Sequence, residues 1–159
     1  MLGEFQQKLV REEVLSIDPG IHMGYFCAQE HGLWNLEESK SRNGNKQHGY
    51  LHSLLMDIIR KHGIRQMVVE DLTVNEHFTD ARKLGEFRGI ILEVCDEMDL
   101  PEPAFVNCKT LKKWATGNGN ATKEDMVRYC QMRYHIDPER HDVADAAHLY
   151  YYYIRKFRL

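Results

Sequence analysis

The chain has 159 residues, 43% of them hydrophobic and 28% charged, with a formal net charge of -3. That length suits one domain with a core of its own, and no run of about 18 apolar residues offers a membrane span. The total charge lacks the strong basic excess that announces a nucleic-acid binder, and Cys27, Cys95, Cys108 and Cys130 form no CxxC pair, so they read as thiols of a reducing compartment. The N-terminal stretch MLGEFQQKLVREE has neither the apolar run nor the small-residue cleavage site of a secretory leader. A cytoplasmic protein is expected.

Residues 1–12 read as an N-terminal extension or short helix, and 13–159 as a single domain. Strand-like runs follow at Val14–Asp18, Met23–Gln29 and Gly32–Glu37, with links short enough for an antiparallel meander. The Asp-Pro-Gly at 18–20 is a common turn signal, so Asp18 taken alone need be no more than a turn residue. After the polar loop SKSRNGNKQ comes a helix at about 47–62, with Leu51, Leu54, Leu55, Ile58 and Ile59 at helical spacing and Gly63 as its stop. His48 and His52 on it have the spacing of a metal pair, but no third ligand is in view, and a solvated helix face is the better reading.

The run IRQMVVE (64–70) is apolar nearly throughout, as a central parallel strand requires. A second helix at about 80–98 carries Leu84, Phe87, Ile91, Val94 and Cys95, and Pro101 and Pro103 close it. A short strand, AFVN, and helices near 109–115, 122–134 and 139–157 complete the chain. The expected fold is α/β: a mixed five-stranded sheet, a three-strand antiparallel meander plus two parallel strands, flanked by helices. This order is that of the ribonuclease H-like architecture.

Acids fall at telling places. Glu70 ends its strand as Asp18 ends the first, and parallel neighbours lie about 4.8 Å apart. Both would then share the crevice at the carboxyl ends of the strands, where α/β sheets bind ligands. Asp142 and Asp145 are three apart in HDVADAAHL, on one face of a helix whose alanines permit close packing. Helix-dipole stabilisation accounts for Asp142 better than for Asp145, which sits nearly a turn inside. Acids gathered in this way call for a divalent cation. Together the four could hold two Mg²⁺, with Mn²⁺ as a substitute, about 3.5–4 Å apart, the geometry of two-metal phosphodiester hydrolysis.

Basic residues are local. KTLKKW (109–114) and IRKFRL (154–159) are patches that solubility alone could explain. The glycine-rich WATGNGNATKEDM lacks the Gly-Lys-Ser/Thr of a nucleotide-triphosphate loop; it is either a plain polar loop or one that brings Lys123 to a scissile phosphate.

The motifs SIDPGIHMGY, VVE, KLGEFRGIIL and HDVADAAHL, in that order, resemble those of the RuvC-type Holliday junction resolvases, and look closer to their phage-encoded relatives. The resemblance spans about residues 13–155. It implies a Mg²⁺-dependent endonuclease that resolves four-way DNA junctions as a homodimer, in a bacterial or phage-infected cell, with no small-molecule cofactor. Asp18, Glu70, Asp142 and Asp145 would be the metal-binding catalytic acids, and Lys123 would join them in catalysis. Lys112, Lys113 and Lys123 would meet the DNA backbone. Leu84, Gly85, Phe87 and Arg88 would lie on the dimer helix. The chain departs from the family at Thr73, where many relatives carry an aromatic wedge; Phe78 and His77 are the candidate stand-ins. Gly85 and Gly89 permit close approach of either a second subunit or the protomer's own sheet.

Two rivals share parts of this pattern. Another ribonuclease H-like nuclease, acting on RNA–DNA hybrid or structured RNA, would use the same acids without needing a dimer. A non-cleaving junction-binding protein would not need the acids. A sugar-kinase-like phosphotransferase would need a second lobe, for which the chain is too short.

Overall fold

The computed structural model describes residues 7–39, 45–72 and 78–159. Thr73 and His77 lie outside the described residues, and of Phe78 only its place in a helix is described.

Five strands form one sheet: β1 (Val14–Asp18), β2 (His22–Phe26), β3 (His31–Asn35), β4 (Gln66–Glu70) and β5 (Ala104–Val106). Their order is β3-β2-β1-β4-β5. β1, β2 and β3 make the antiparallel meander, while β4 runs parallel to both β1 and β5. The helices are α1 (Asn45–His62), α2 (Phe78–Glu97), α3 (Cys108–Thr116), α4 (Lys123–Tyr134) and α5 (His141–Lys156). A 3-10 turn at Arg11–Glu13 precedes β1, and another at Leu36–Ser39 follows β3.

Side-chain alternation along the strands divides the core in two. Leu15, Ile17, Met67 and Val69 face α1 and α2, together with Leu51, Leu55, Phe87 and Ile91. Val14, Val68 and Val106 face the other way, into Leu111, Met126, Ala146 and Leu149 of α3, α4 and α5. Both faces of the central strands are therefore dry, which is why β4 reads as an unbroken apolar run. The second strand ends at Phe26 rather than Gln29, because the Cys27 N–H turns back to the Glu30 carbonyl at 2.9 Å.

Local chemistry sets the helix ends. Asn107 accepts from the N–H groups of Lys109 and Thr110 to start α3, and Gly117, at φ 84°, ends it in the left-handed region. Thr122 and Asp125 cap α4 reciprocally, each side chain accepting from the other's N–H. The glycine-rich loop is thus spent on stopping one helix and starting the next. His48 and His52 bind acids of α2, Glu86 and Glu97, each at 3.0 Å. They tie α1 to α2, instead of standing on a solvated helix face as the sequence suggested.

α5 is seated directly on the sheet. Ser16, fully buried, has its Oγ 2.6 Å from the Ala146 carbonyl and 3.2 Å from that of Phe26. Its single proton serves the shorter contact, fixing the middle of α5 over β1.

Candidate metal centre

Parallel pairing of β1 with β4 sets Ile17 opposite Val69, so the next residues, Asp18 and Glu70, leave the sheet side by side. α5 crosses above them and lowers Asp145 into the same crevice. One carboxylate oxygen from each of Asp18, Glu70 and Asp145 lies within 4.8 Å of the other two. Three acids from three distant parts of the sequence are thereby gathered at one point.

Their electrostatics are those of a site made for a cation. Burial pushes Asp18 well above the usual carboxylate range, and the charges of Glu70, Asp145 and Asp142 push the same way. Asp145 is likewise raised, by burial first and then by Glu70 and Asp142, against the pull of Lys112 and Lys123. Glu70 is raised by burial but held back by hydrogen bonds from Cys108 and from Asp18, and by Lys112. Asp18 and Asp145 therefore carry the strongest push toward the neutral form. Asp145 Oδ1 is buried with no hydrogen-bond partner. An orphaned carboxylate oxygen among like charges is costly in protein alone and is relieved by a hard divalent ion. The donor set is all oxygen, as Mg²⁺ or Mn²⁺ requires.

Asp142 stands apart from the three. Arg140 Nε donates to its Oδ2 at 3.2 Å, and His141 Nε2 lies 3.3 Å from its Oδ1. It still acts on all three acids through its charge. Burial holds His141 below its ordinary value, against Asp142. Lys112 is close enough to act on Glu70 and Asp145, and Lys123, the first residue of α4, on Asp145. Lys113 is exposed in the last turn of α3.

Neither Cys108 nor Arg140 stood out in the sequence. Glu70 pairs in register with Val106, so the first turn of α3 has to pass over it. That places the Cys108 thiol against Glu70, where burial and the carboxylate push the thiol up to about 11. A residue two positions beyond a strand end, in the same crevice as the acids, is the signal that could have found it.

The residues expected at a dimer face divide. Phe87 is fully buried in its own protomer's core and is withdrawn from any partner surface. Its spacing from Ile91 and Val94 puts it on the inward stripe of α2. Arg88 is also turned to its own protomer: Nη1 lies 2.6 Å from Asp71, and the guanidinium stacks 3.6 Å from the Phe105 ring centre. Leu84 and Arg88 border a recess of about 50 Å³ beside Asp18 and Glu70. Gly85 and Gly89 are exposed, and a methyl group on either would meet nothing of the protomer within 4 Å. Close packing on the protomer's own sheet does not explain them.

Comparison with known proteins gives a consistent picture. The family model described as crossover junction endodeoxyribonuclease RuvC matches residues 14–150. The protein of that name from Brachyspira hyodysenteriae is 25% identical over 140 residues, covering 83% of this chain and 87% of its own. The one from Chlorobium phaeobacteroides is 28% identical over 147 residues, covering 84% and 76%. Among solved structures, Thermus thermophilus RuvC aligns with a TM-score of 0.72 at 19% identity, covering 91% of this chain and 96% of its own. T. thermophilus RuvC in complex with Holliday junction substrate aligns at 0.71 and 21% identity. These two share the fold.

Proposed function

The chain belongs to the RuvC family of crossover junction endodeoxyribonucleases, and we propose that it is a metal-dependent endonuclease that resolves four-way DNA junctions by paired phosphodiester hydrolysis. The observation that carries this reading is the meeting of Asp18, Glu70 and Asp145 within 4.8 Å of one another, with an oxygen of Asp145 left unpartnered. Those three acids would hold Mg²⁺ or Mn²⁺, and Asp142, released from Arg140, would complete the set for a second ion. Bound there, the metal supplies an activated water and charge stabilisation at the leaving oxygen.

The remaining work belongs to this chain's own side chains. A cation held there would favour the charged form of Asp18, offsetting the burial and the neighbouring acids that raise it. Lys112 and Lys123 flank the acids and would draw the scissile phosphate toward them, offsetting its charge; Lys113, one residue on and exposed, would hold the flanking backbone. Phe78, which opens α2, and Thr73 are proposed to meet the DNA next to the crossover.

A four-way junction is two-fold symmetric, so paired cuts call for two copies of the site. We place the second copy against the outer face of α2. Gly85 and Gly89 are open there, and Leu92 is 37% exposed one turn further on. Leu84 flanks that face. Among the described residues no helix is long and apolar enough to cross a membrane, and all four cysteines are free. Both suit work on DNA in the cytoplasm.

The test is cleavage in Mg²⁺ of four labelled substrates side by side: a four-way junction, a Y-shaped fork, linear duplex and an RNA–DNA hybrid. Symmetric paired nicks confined to the junction are expected. Preferred cutting of the hybrid would keep the metal site and discard junction resolution; tight junction binding without cutting would make the protein a binding module.

A further inference from the structure

The last turn of α5 and the residues packed around it form a second charged surface that the metal centre does not use. Arg155, Lys156 and Arg158 project from this turn, and Arg11 and Arg133 reach it from elsewhere in the chain. Arg155 lies 5.7 Å from the ring centres of Trp114, Tyr134 and Tyr151, and Arg133 4.2 Å from that of Trp114. Lys156 lies 5.6 Å over Tyr152, which meets Trp114 edge-on at 5.5 Å. Arg155, Arg158 and Arg11 line a cavity of about 480 Å³ on this surface. The rings and cations are therefore one continuous patch.

Arg11, Arg133, Arg155, Lys156 and Arg158 have no Asp or Glu partner among the described residues, in a chain whose total charge is negative. The helix dipole welcomes Arg155 and Lys156 in the last turn. It accounts equally for Arg133 in the last turn of α4, but not for Arg11, which lies in the turn before β1. Arg133 donates to the peptide carbonyls of Trp114 and Ala115, which position its guanidinium group and leave its charge unbalanced, while Arg11 donates to the main-chain oxygen of Leu159, the last residue.

Arg158 adds an independent observation. α5 ends in a Schellman motif, with Leu159 N–H bonded to Ile154 O and Arg158 N–H to Arg155 O. The position Arg158 fills has φ 54°, where glycine is favoured and an L side chain is strained. The chain keeps an arginine there against local conformational preference. Its side chain is exposed there and lines the cavity it shares with Arg11 and Arg155.

We propose that this patch is a second DNA-binding surface, which grips the phosphate backbone of a duplex arm leaving the cut site. It rests on the junction-cutting function proposed above. Two features join it to the metal centre. α3 carries Lys112 beside Glu70 and Asp145 and, two residues on, Trp114 in the patch. α5 carries Asp145 at one end and Arg155 ten residues along, a rise of about 15 Å. That is the axial length of roughly four base pairs. Arg155, held among aromatic rings with no side-chain hydrogen bond among the described residues, has its in-plane N–H donors free and loses little further freedom on meeting phosphate.

The test uses the full chain in two forms, Arg155→Gln/Lys156→Gln/Arg158→Gln and Arg158→Gly. Binding of a labelled long-armed junction is followed by anisotropy in EDTA across a salt series, with cutting in Mg²⁺ assayed separately. The triple variant should bind roughly tenfold or more weakly at moderate salt, with its log–log salt slope shallower by about 0.9 for each phosphate it no longer neutralises. Arg158→Gly should melt no lower than the parent, yet its slope should flatten by the share of about one phosphate. That split separates a phosphate grip from a structural role. Unchanged affinity and slope in both variants would overturn the patch while leaving the nuclease reading intact. Unchanged DNA binding with loss of self-association would assign the patch to a second copy and equally overturn it. If the parent cuts no branched DNA but the variants still lose affinity and slope, the patch stands and the junction-cutting function falls.

Discussion

Gly24 on β2 and Asp142 at the start of α5 are in backbone contact: a methyl group on Gly24 would overlap the Asp142 carbonyl. β2 contributes no acid, yet it sets the height at which the helix carrying Asp142 and Asp145 comes down on the sheet. Gly24→Ala is expected to lift the N-terminal turn of α5, with an overpacking cost of about 1–3 kcal/mol. Cutting should fall by a larger factor than stability explains, since a displacement of about 1 Å can cost about 100-fold. A thermal melt and a junction-cleavage rate on the same preparation check this. A fully active Gly24→Ala would mean that the close approach does not position the acids.

Asp145→Asn separates catalysis from stability. The folded-state pKa values of Asp18 and Asp145 are raised, so the folded protein holds more protons than the unfolded chain. Stability in EDTA should therefore fall as pH climbs from the ordinary carboxylate range through those raised values. Asp145→Asn removes one of the opposing charges. It should abolish cutting and raise stability in EDTA at pH 8 by on the order of 1 kcal/mol.

Divalent ions should act in the opposite sense on the parent protein. Mn²⁺ or Mg²⁺ at about 100 times its dissociation constant should stabilise it by about 2.7 kcal/mol. The same addition should leave Asp145→Asn nearly unmoved. Differential scanning fluorimetry with and without the ion reads both; equal shifts in the two proteins would place the ion elsewhere.

His148 predicts a separate acid sensitivity. It is fully buried, Nε2 donates to the Met126 carbonyl at 2.8 Å, and Nδ1 accepts from the Tyr134 hydroxyl at 2.8 Å. Burial holds it down to about 4. A depressed histidine favours the folded state fully above its unfolded value of about 6.5 and loses that contribution as pH falls toward 4. The loss should approach about 3 kcal/mol. Urea melts at pH 7 and 4.5 on the parent and on His148→Gln measure it. The parent should lose more on acidification, from a higher starting stability.

Cys108 is expected to tune the pH at which the site becomes usable. Its thiol lowers the pKa of Glu70, so Cys108→Ala should raise it and move the acid limb of the pH–rate profile to higher pH. Cys108→Ser keeps a donor and should restore the profile. A uniform drop in rate with no shift in the limb would mean that the thiol only packs there.

Much of this was legible in the residues. The apolar run before Glu70 announced a strand buried on both faces, and two strands ending in acids announced a shared crevice. The alanines around Asp145 announced close docking of α5. What could not be read depends on register and rotamer. Nothing in the sequence sets Val106 opposite Glu70, which is what brings Cys108 to the acids. Nothing in it turns Arg140 onto Asp142. The stretch expected to carry a dimer face illustrates the difficulty in another way: nearby residues on a helix face different neighbours, so Phe87 goes to the core while Gly85 stays outside.

The order in which the acids occur has a consequence for the protein's synthesis. Asp18 and Glu70 emerge early, but the third member of the cluster rides on α5, the last helix, and reaches it only when Ser16 and Gly24 have received that helix. A chain truncated before residue 141 would carry the strands and Lys112, Lys113 and Lys123, but not the Asp145 that completes the acid cluster. On the function proposed above, a copy without α5 would lack one of the three gathered acids and should leave DNA uncut.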